Sequence, residues 1–113
     1  MDKDLKAYLK DILNCINRIE QHVTGIKSIK EFEENYLVLD AVLRRLAIIG
    51  EALNKASKLN IKIQVSNQNK IIALRHIIVH DYDKVDENVI WPIIKVYLPV
   101  LEKEIQNILI GLH

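Results

Sequence analysis

Residues 36–58 read YLVLDAVLRRLAIIGEALNKASK. Tyr36, Leu39, Leu43, Leu46 and Leu53 follow one another at steps of three, four and seven, so they fall on one face of an α-helix. Val38, Ala41, Val42, Ile48, Ile49 and Ala52 make a second apolar side of the same helix. A helix that is apolar on two sides has to be covered twice. The chain's own bundle supplies one cover, and a second subunit is the expected source of the other. Asp40, Arg44, Glu51, Lys55 and Lys58 occupy the remaining face, which reads as solvated and laced with i,i+4 ion pairs of modest worth. Gly50 stands in the helix interior, where glycine costs about 1 kcal/mol relative to alanine. Its presence there predicts the close approach of another backbone.

The flanking segments also have helical periodicity. Leu5, Leu9, Ile12, Ile16, Ile19 and Val23 alternate at steps of four and three, and Tyr8, Leu13 and Cys15 widen that stripe. Thr24-Gly25 predicts the end of this first helix. Ser28 and Glu31 stand in the S-x-x-E capping pattern and predict the start of one longer helix that runs on through Lys58. Residues 59–69 are polar and irregular, although Ile61, Ile63 and Val65 alternate as a short strand would. A loop is expected there, then a helix capped near Ser66 or Asn67. Residues 70–80, KIIALRHIIVH, are rich in β-branched residues, so a strand is the alternative to a helix. Asp86 predicts the N-cap of a last helix, in which Pro92 and Pro99 predict a kink or restart. The pattern describes an all-α bundle of four to five helices with short connections, and residues 1–113 read as a single domain.

Sixteen Lys and Arg face fifteen Asp and Glu, for a net charge of +1. That balance excludes a strongly basic nucleic-acid binder; contact with a polyanion has to be made by a local patch. Cys15 has no partner for a disulfide within the chain, which points to a reducing compartment. Met1-Asp2-Lys3-Asp4 lacks the charged-then-apolar pattern of a secretion signal, and a cytoplasmic location without membrane association is expected.

Arg75, His80 and Tyr82 form R-x4-H-x-Y across a helix end and the loop that follows. Arg75 is set among Ile71, Ile72, Leu74, Ile77 and Ile78, so its guanidinium needs a charge partner. That partner is either a carboxylate of the fold or a phosphate gripped in bidentate fashion. His80 can exchange a proton near neutral pH. Together they make a minimal kit for RNA cleavage without metal or cofactor. The imidazole takes the 2′-hydroxyl proton, and the guanidinium stabilises charge at the attacked phosphate. One histidine does not readily serve as base and acid at once, and a two-fold dimer would bring a second motif to the same cleft. Taken alone, R-x4-H fits a structural ion pair better than catalysis. Arg45, between Val42 and Ile49, reads as an intersubunit salt-bridge residue, with an RNA-facing role as the alternative. His76 and His22 read as structural, and His113 as terminal and mobile. With no cysteine–histidine cluster and no phosphate-cradling glycine loop, neither a metal nor a nucleotide cofactor is expected.

Leu74-Arg75-His76-Ile77-Ile78-Val79-His80-Asp81-Tyr82, followed by Val85-Asp86 and Trp91, resembles the signature of HepT-like HEPN proteins. The Ile49-Gly50-Glu51-Ala52 stretch and Leu98-Pro99 resemble the same family's long helix and last helix, so the likeness covers nearly the whole chain. The resemblance implies an all-α HEPN-type homodimer with a composite cleft. It implies a metal-independent endoribonuclease, the toxin of a type II toxin–antitoxin pair, with Arg75 and His80 as its catalytic residues. Its expected partner is an MNT-type nucleotidyltransferase antitoxin that transfers AMP to Tyr82. Glu51, Arg45, His76 and Asp81 are candidate supporting residues: Glu51 to orient Arg75, and Asp81 to pair with Arg75 or His80. At positions 76 and 81 this chain has His and Asp where the family often has Asn and Gly. The alternative is a non-catalytic helical dimer that binds a nucleotidyltransferase or a nucleotide.

Overall fold

The computed structural model describes residues 2–60 and 62–112. The expectations for Met1, Ile61 and His113 lie outside the described residues. Helix α1 spans Asp2–Val23, α2 Ile29–Glu34, α3 Tyr36–Leu59 and α4 Gln68–His80. A 3₁₀ turn at Tyr82–Lys84 leads to α5, Glu87–Pro92. A π-wound segment, Ile93–Tyr97, then joins α5 to α6, Leu98–Gly111. There is no β-strand among the described residues, and the fold is all-α. None of the described helices is long and apolar enough to cross a membrane.

Each residue of the predicted α1 stripe, from Leu5 to Val23, is buried. The helix ends where Gly25 takes a left-handed φ of +89°, a conformation that a side chain would disfavour. Ser28 caps the next helix as expected, its hydroxyl accepting from the Glu31 amide at 3.2 Å. The Glu31 carboxylate reaches back to the Lys27 amide at 2.7 Å. The single long helix predicted from Ser28 is instead two. The Asn35 side chain accepts from the Val38 amide at 3.1 Å and starts α3 anew. Phe32 of α2 tucks fully into the core against Trp91, which fixes α2 at its own angle. Tyr36, placed by periodicity on the buried stripe, lies beyond this break and is 75% exposed.

Helix α3 is the centre of the bundle, packed chiefly by α1 on one side and α4 on the other. On its first apolar side Leu39, Leu43, Leu46 and Leu53 are buried; on its second Val42, Ile49 and Ala52 are buried, while Val38, Ala41 and Ile48 stay partly exposed. The chain's own helices thus cover most of α3 and leave part of its second side open. The exposed apolar side chains include Tyr36 and Leu37 at the start of α3, and Val89, Val96 and Val100 along α5 to α6.

Residues 70–80 are helical, which settles the strand alternative; Ile71, Leu74 and Ile78 point into the core. Asn67 holds the predicted cap position in a left-handed conformation, without a side-chain cap. The Gln68 side chain accepts from the Val65 amide in its place. Asp86 caps α5 as predicted, accepting from the Asn88 amide at 2.9 Å. The last helix is interrupted and restarted, as the prolines predict: α5 ends at Pro92, and α6 begins at Leu98 with Pro99 in its first turn. The chain absorbs their missing donors in the π-wound turn, where the Leu98 amide reaches back to the Ile93 carbonyl.

Candidate functional site

Gly50 determines where the site forms. A Cβ built on it would lie 2.6 Å from the Arg75 Cβ and 3.0 Å from the Ile71 carbonyl oxygen. Helices α3 and α4 thus cross at glycine contact, and the predicted close approach has Arg75 at its centre. The next residue, Glu51, meets the guanidinium: Arg75 Nε lies 2.9 Å from Glu51 Oε2. The ion pair is made through Nε, so the terminal amino groups of the fork can take a second acceptor. Lys55, one turn along α3, lies 3.6 Å from the same carboxylate. Tyr8 of α1 faces them, its ring centroid 5.8 Å from the Lys55 ammonium. With Asp11, Ala47, Ile48 and Val79 these residues line an open cleft of about 340 Å³. That volume is at the small end of ligand sites.

His80 stands on a different face of α4. Five residues along an α-helix turn the side chain by roughly 140° relative to Arg75. His80 shares its face with His76 one turn earlier; both are exposed, and their ring centroids lie 4.6 Å apart at 49°. His76 is therefore not an isolated structural residue but the neighbour of the motif histidine. Asp81 pairs with neither Arg75 nor His80 among the described ion pairs; its backbone ends α4, the amide donating to the Ile77 carbonyl. Arg45 lines no part of the Arg75 cleft. It lies half-buried near the Cys15 thiol of its own chain, where burial pushes the thiol pKa up and the neighbouring Arg45 guanidinium partly offsets the rise.

Tyr82 is 53% exposed on the 3₁₀ turn. Its hydroxyl donates to Asp40 Oδ1 at 2.6 Å, a bond spanning 42 residues. That bond is the main reason the Tyr82 pKa is raised; slight burial and the charges of Asp40 and Glu87 add to it. In the sequence Asp40 is one more solvated residue of α3, and no local pattern marks it. Tyr8 and Lys55 likewise fall on a helix edge and a solvated face. Only the crossing of three helices brings them to Arg75.

The family model described as Ribonuclease HepT-like matches residues 12–108. The chain belongs to the HepT-like ribonuclease family. A relative from Methanocaldococcus jannaschii, named "Gamma-glutamylcyclotransferase and putative RNase", is 34% identical over 110 residues. The match takes in 96% of this chain but only 49% of that protein, so this HepT-like chain spans about half of it. A second protein of that organism, named "Putative RNase", is 32% identical over 92% of this chain and 95% of its own length. Another of the same name, from Caldanaerobacter subterraneus subsp. tengcongensis, is 32% identical over 95% and 96%. No solved structure matches this HepT-like chain. Family membership supports a ribonuclease function, and within the HepT-like fold the Ile49–Ala52 stretch has a physical role: it is where α3 receives Arg75 of α4.

Proposed function

We propose that this chain is a metal-independent endoribonuclease, the toxin of a toxin–antitoxin pair, in which Arg75 and His80 cleave RNA. The observation that carries this reading is the Glu51–Arg75 contact at 2.9 Å inside an open cleft, on a chain of a ribonuclease family. The guanidinium is held by one edge and presents the other, as a group that must receive a phosphate without searching for it. His80 Nδ1 or Nε2 takes the proton of a ribose 2′-hydroxyl, and that oxygen attacks the adjacent phosphorus. The bond to the 5′-oxygen breaks, leaving a 2′,3′-cyclic phosphate, and a second imidazole protonates the leaving oxygen.

The divergence of Arg75 and His80 around α4 favours a composite site. In a homodimer the His80 of one copy works opposite the Arg75 of the other, and His76 stands beside each His80 as a further proton carrier. In this reading an MNT-type nucleotidyltransferase neutralises the toxin by transferring AMP to Tyr82, which places a bulky anion next to the helix end that carries His80.

Purified protein is incubated with total RNA in EDTA, beside Arg75→Ala and His80→Ala variants whose helicity and thermal unfolding match the wild type. Cleavage by the wild type alone, with cyclic-phosphate ends, is expected. Intact RNA with wild-type protein whose Tyr82 is unmodified by mass would overturn the assignment.

A further inference from the structure

The bond between Tyr82 and Asp40 has no place in RNA cleavage as described above, yet it is the shortest side-chain hydrogen bond among the described residues. It joins the 3₁₀ turn after α4 to the second turn of α3, and both ends are fixed by local structure. Asn35 caps α3 below Asp40. The turn is closed by the Lys84 amide on the Asp81 carbonyl at 2.8 Å and the Val85 amide on the Tyr82 carbonyl at 3.1 Å. Asp40 therefore does not meet Tyr82 as one of many rotamers of two loose chains. Both side chains remain exposed, so the hydroxyl oxygen is open to a reagent on the side away from the carboxylate.

We propose that Asp40 is a general base that prepares the Tyr82 hydroxyl to attack a phosphorus centre. This rests on the reading of Tyr82 as the AMP acceptor and supplies the chemistry which that reading lacks. A phenol is a weak nucleophile until its proton leaves, and a carboxylate already accepting that proton removes it as the new bond forms. Carboxylates serve hydroxyl acceptors in this way in phosphoryl transfer. In the step, the Tyr82 oxygen bonds the α-phosphorus of a nucleoside triphosphate. The bond from that phosphorus to the bridging oxygen breaks, pyrophosphate departs, and the proton passes to Asp40 and on to water. The raised Tyr82 pKa fits this role. Asp40 and Glu87 disfavour a free phenolate, so the hydroxyl stays neutral until an electrophile arrives. The product has no proton to donate, and its ester oxygen would face the carboxylate at the distance of the former bond. Modification thereby also releases the turn from α3.

Tyr36 provides an internal reference: it is more exposed than Tyr82 and has no side-chain hydrogen bond among those described. Full-length wild type, Asp40→Asn and Asp40→Glu are treated with diisopropyl fluorophosphate, a phosphorus electrophile that loses fluoride, and each tyrosine is followed by peptide mass mapping. In the wild type Tyr82 is expected to react about tenfold or more faster than Tyr36, with only weak pH dependence. In Asp40→Asn it should fall to the Tyr36 rate and climb about tenfold per pH unit, as phenolate chemistry does. Asp40→Glu should restore part of the rate. A Tyr82 rate that is unchanged or increased in Asp40→Asn would overturn the proposal. A parallel arm uses the nucleotidyltransferase and ATP. Equal AMP transfer to wild type and Asp40→Asn would also overturn it. No transfer to the wild type, with the fluorophosphate result intact, would sink the AMP reading and leave Asp40 as the base.

Discussion

Replacing Gly50 by alanine perturbs the contact on which the site depends. The new methyl would sit 2.6 Å from the Arg75 Cβ and 3.0 Å from the Ile71 carbonyl oxygen. Neither neighbour is the free end of a side chain, so the methyl is accommodated only if α4 moves off α3 by about 1 Å, to ordinary carbon–carbon contact. Overpacking of this kind costs up to about 3 kcal/mol. Alanine returns about 1 kcal/mol of helix propensity, which leaves a net loss of about 2 kcal/mol. For a chain of this size that lowers Tm by about 8 °C. The same shift stretches the 2.9 Å contact between Arg75 and Glu51 past hydrogen-bond range. RNA cleavage should then fall by about tenfold to a hundredfold, because misplacement of a positioning group by about 1 Å has that cost. Thermal unfolding gives the first quantity, and cleavage rates in EDTA well below Tm give the second. Gly111→Ala is the control, since nothing lies within 4 Å of a Cβ at that position; no loss is expected. A Gly50→Ala protein as stable as the wild type and equally active would refute the reasoning that this glycine exists to admit Arg75.

Two further outcomes are expected. Glu51→Gln keeps the shape of the side chain and removes its charge; the Arg75 and Glu51 side chains are 36% and 37% exposed, so urea denaturation should show a loss of no more than about 1 kcal/mol. RNA cleavage should nevertheless drop about tenfold as Arg75 loses its orientation, and an unchanged rate would remove Glu51 from the site. The Cys15 pKa is raised from 9.0 by burial, so the folded state favours the neutral thiol. Its contribution to stability is present below the unfolded value and lost as pH rises through the higher folded value. Unfolding free energy should therefore start to fall as pH rises through the ordinary thiol value of 9.0, and fall less in Cys15→Ala. Equal slopes for the two proteins would show that the thiol is not the group responsible.

The reach of the sequence follows from the range of the forces involved. The α1 stripe, the Ser28 and Asp86 caps and the helical class are set by contacts within a few residues, so spacing alone determined them. Gly50 was legible as a point of close approach because an interior glycine has a local cost that something must offset. R-x4-H-x-Y and the Ile49–Ala52 stretch were legible as a family pattern. Periodicity shows that a face is covered without showing what covers it. For that reason α3, apolar on two sides, suggests a second subunit, whereas in the fold α1 and α4 of the same chain cover most of it. The break at Asn35 is masked in the sequence because α2 and α3 are both helical; the Asn35 cap and the seating of Phe32 against Trp91 together separate them. The tertiary structure alone decided that Glu51 meets Arg75 and that Tyr8 and Lys55 share the cleft. It alone decided that Asp40 holds Tyr82 across 42 residues. Each of these is a short-range contact between groups far apart along the chain, and their distance is fixed by how helices cross.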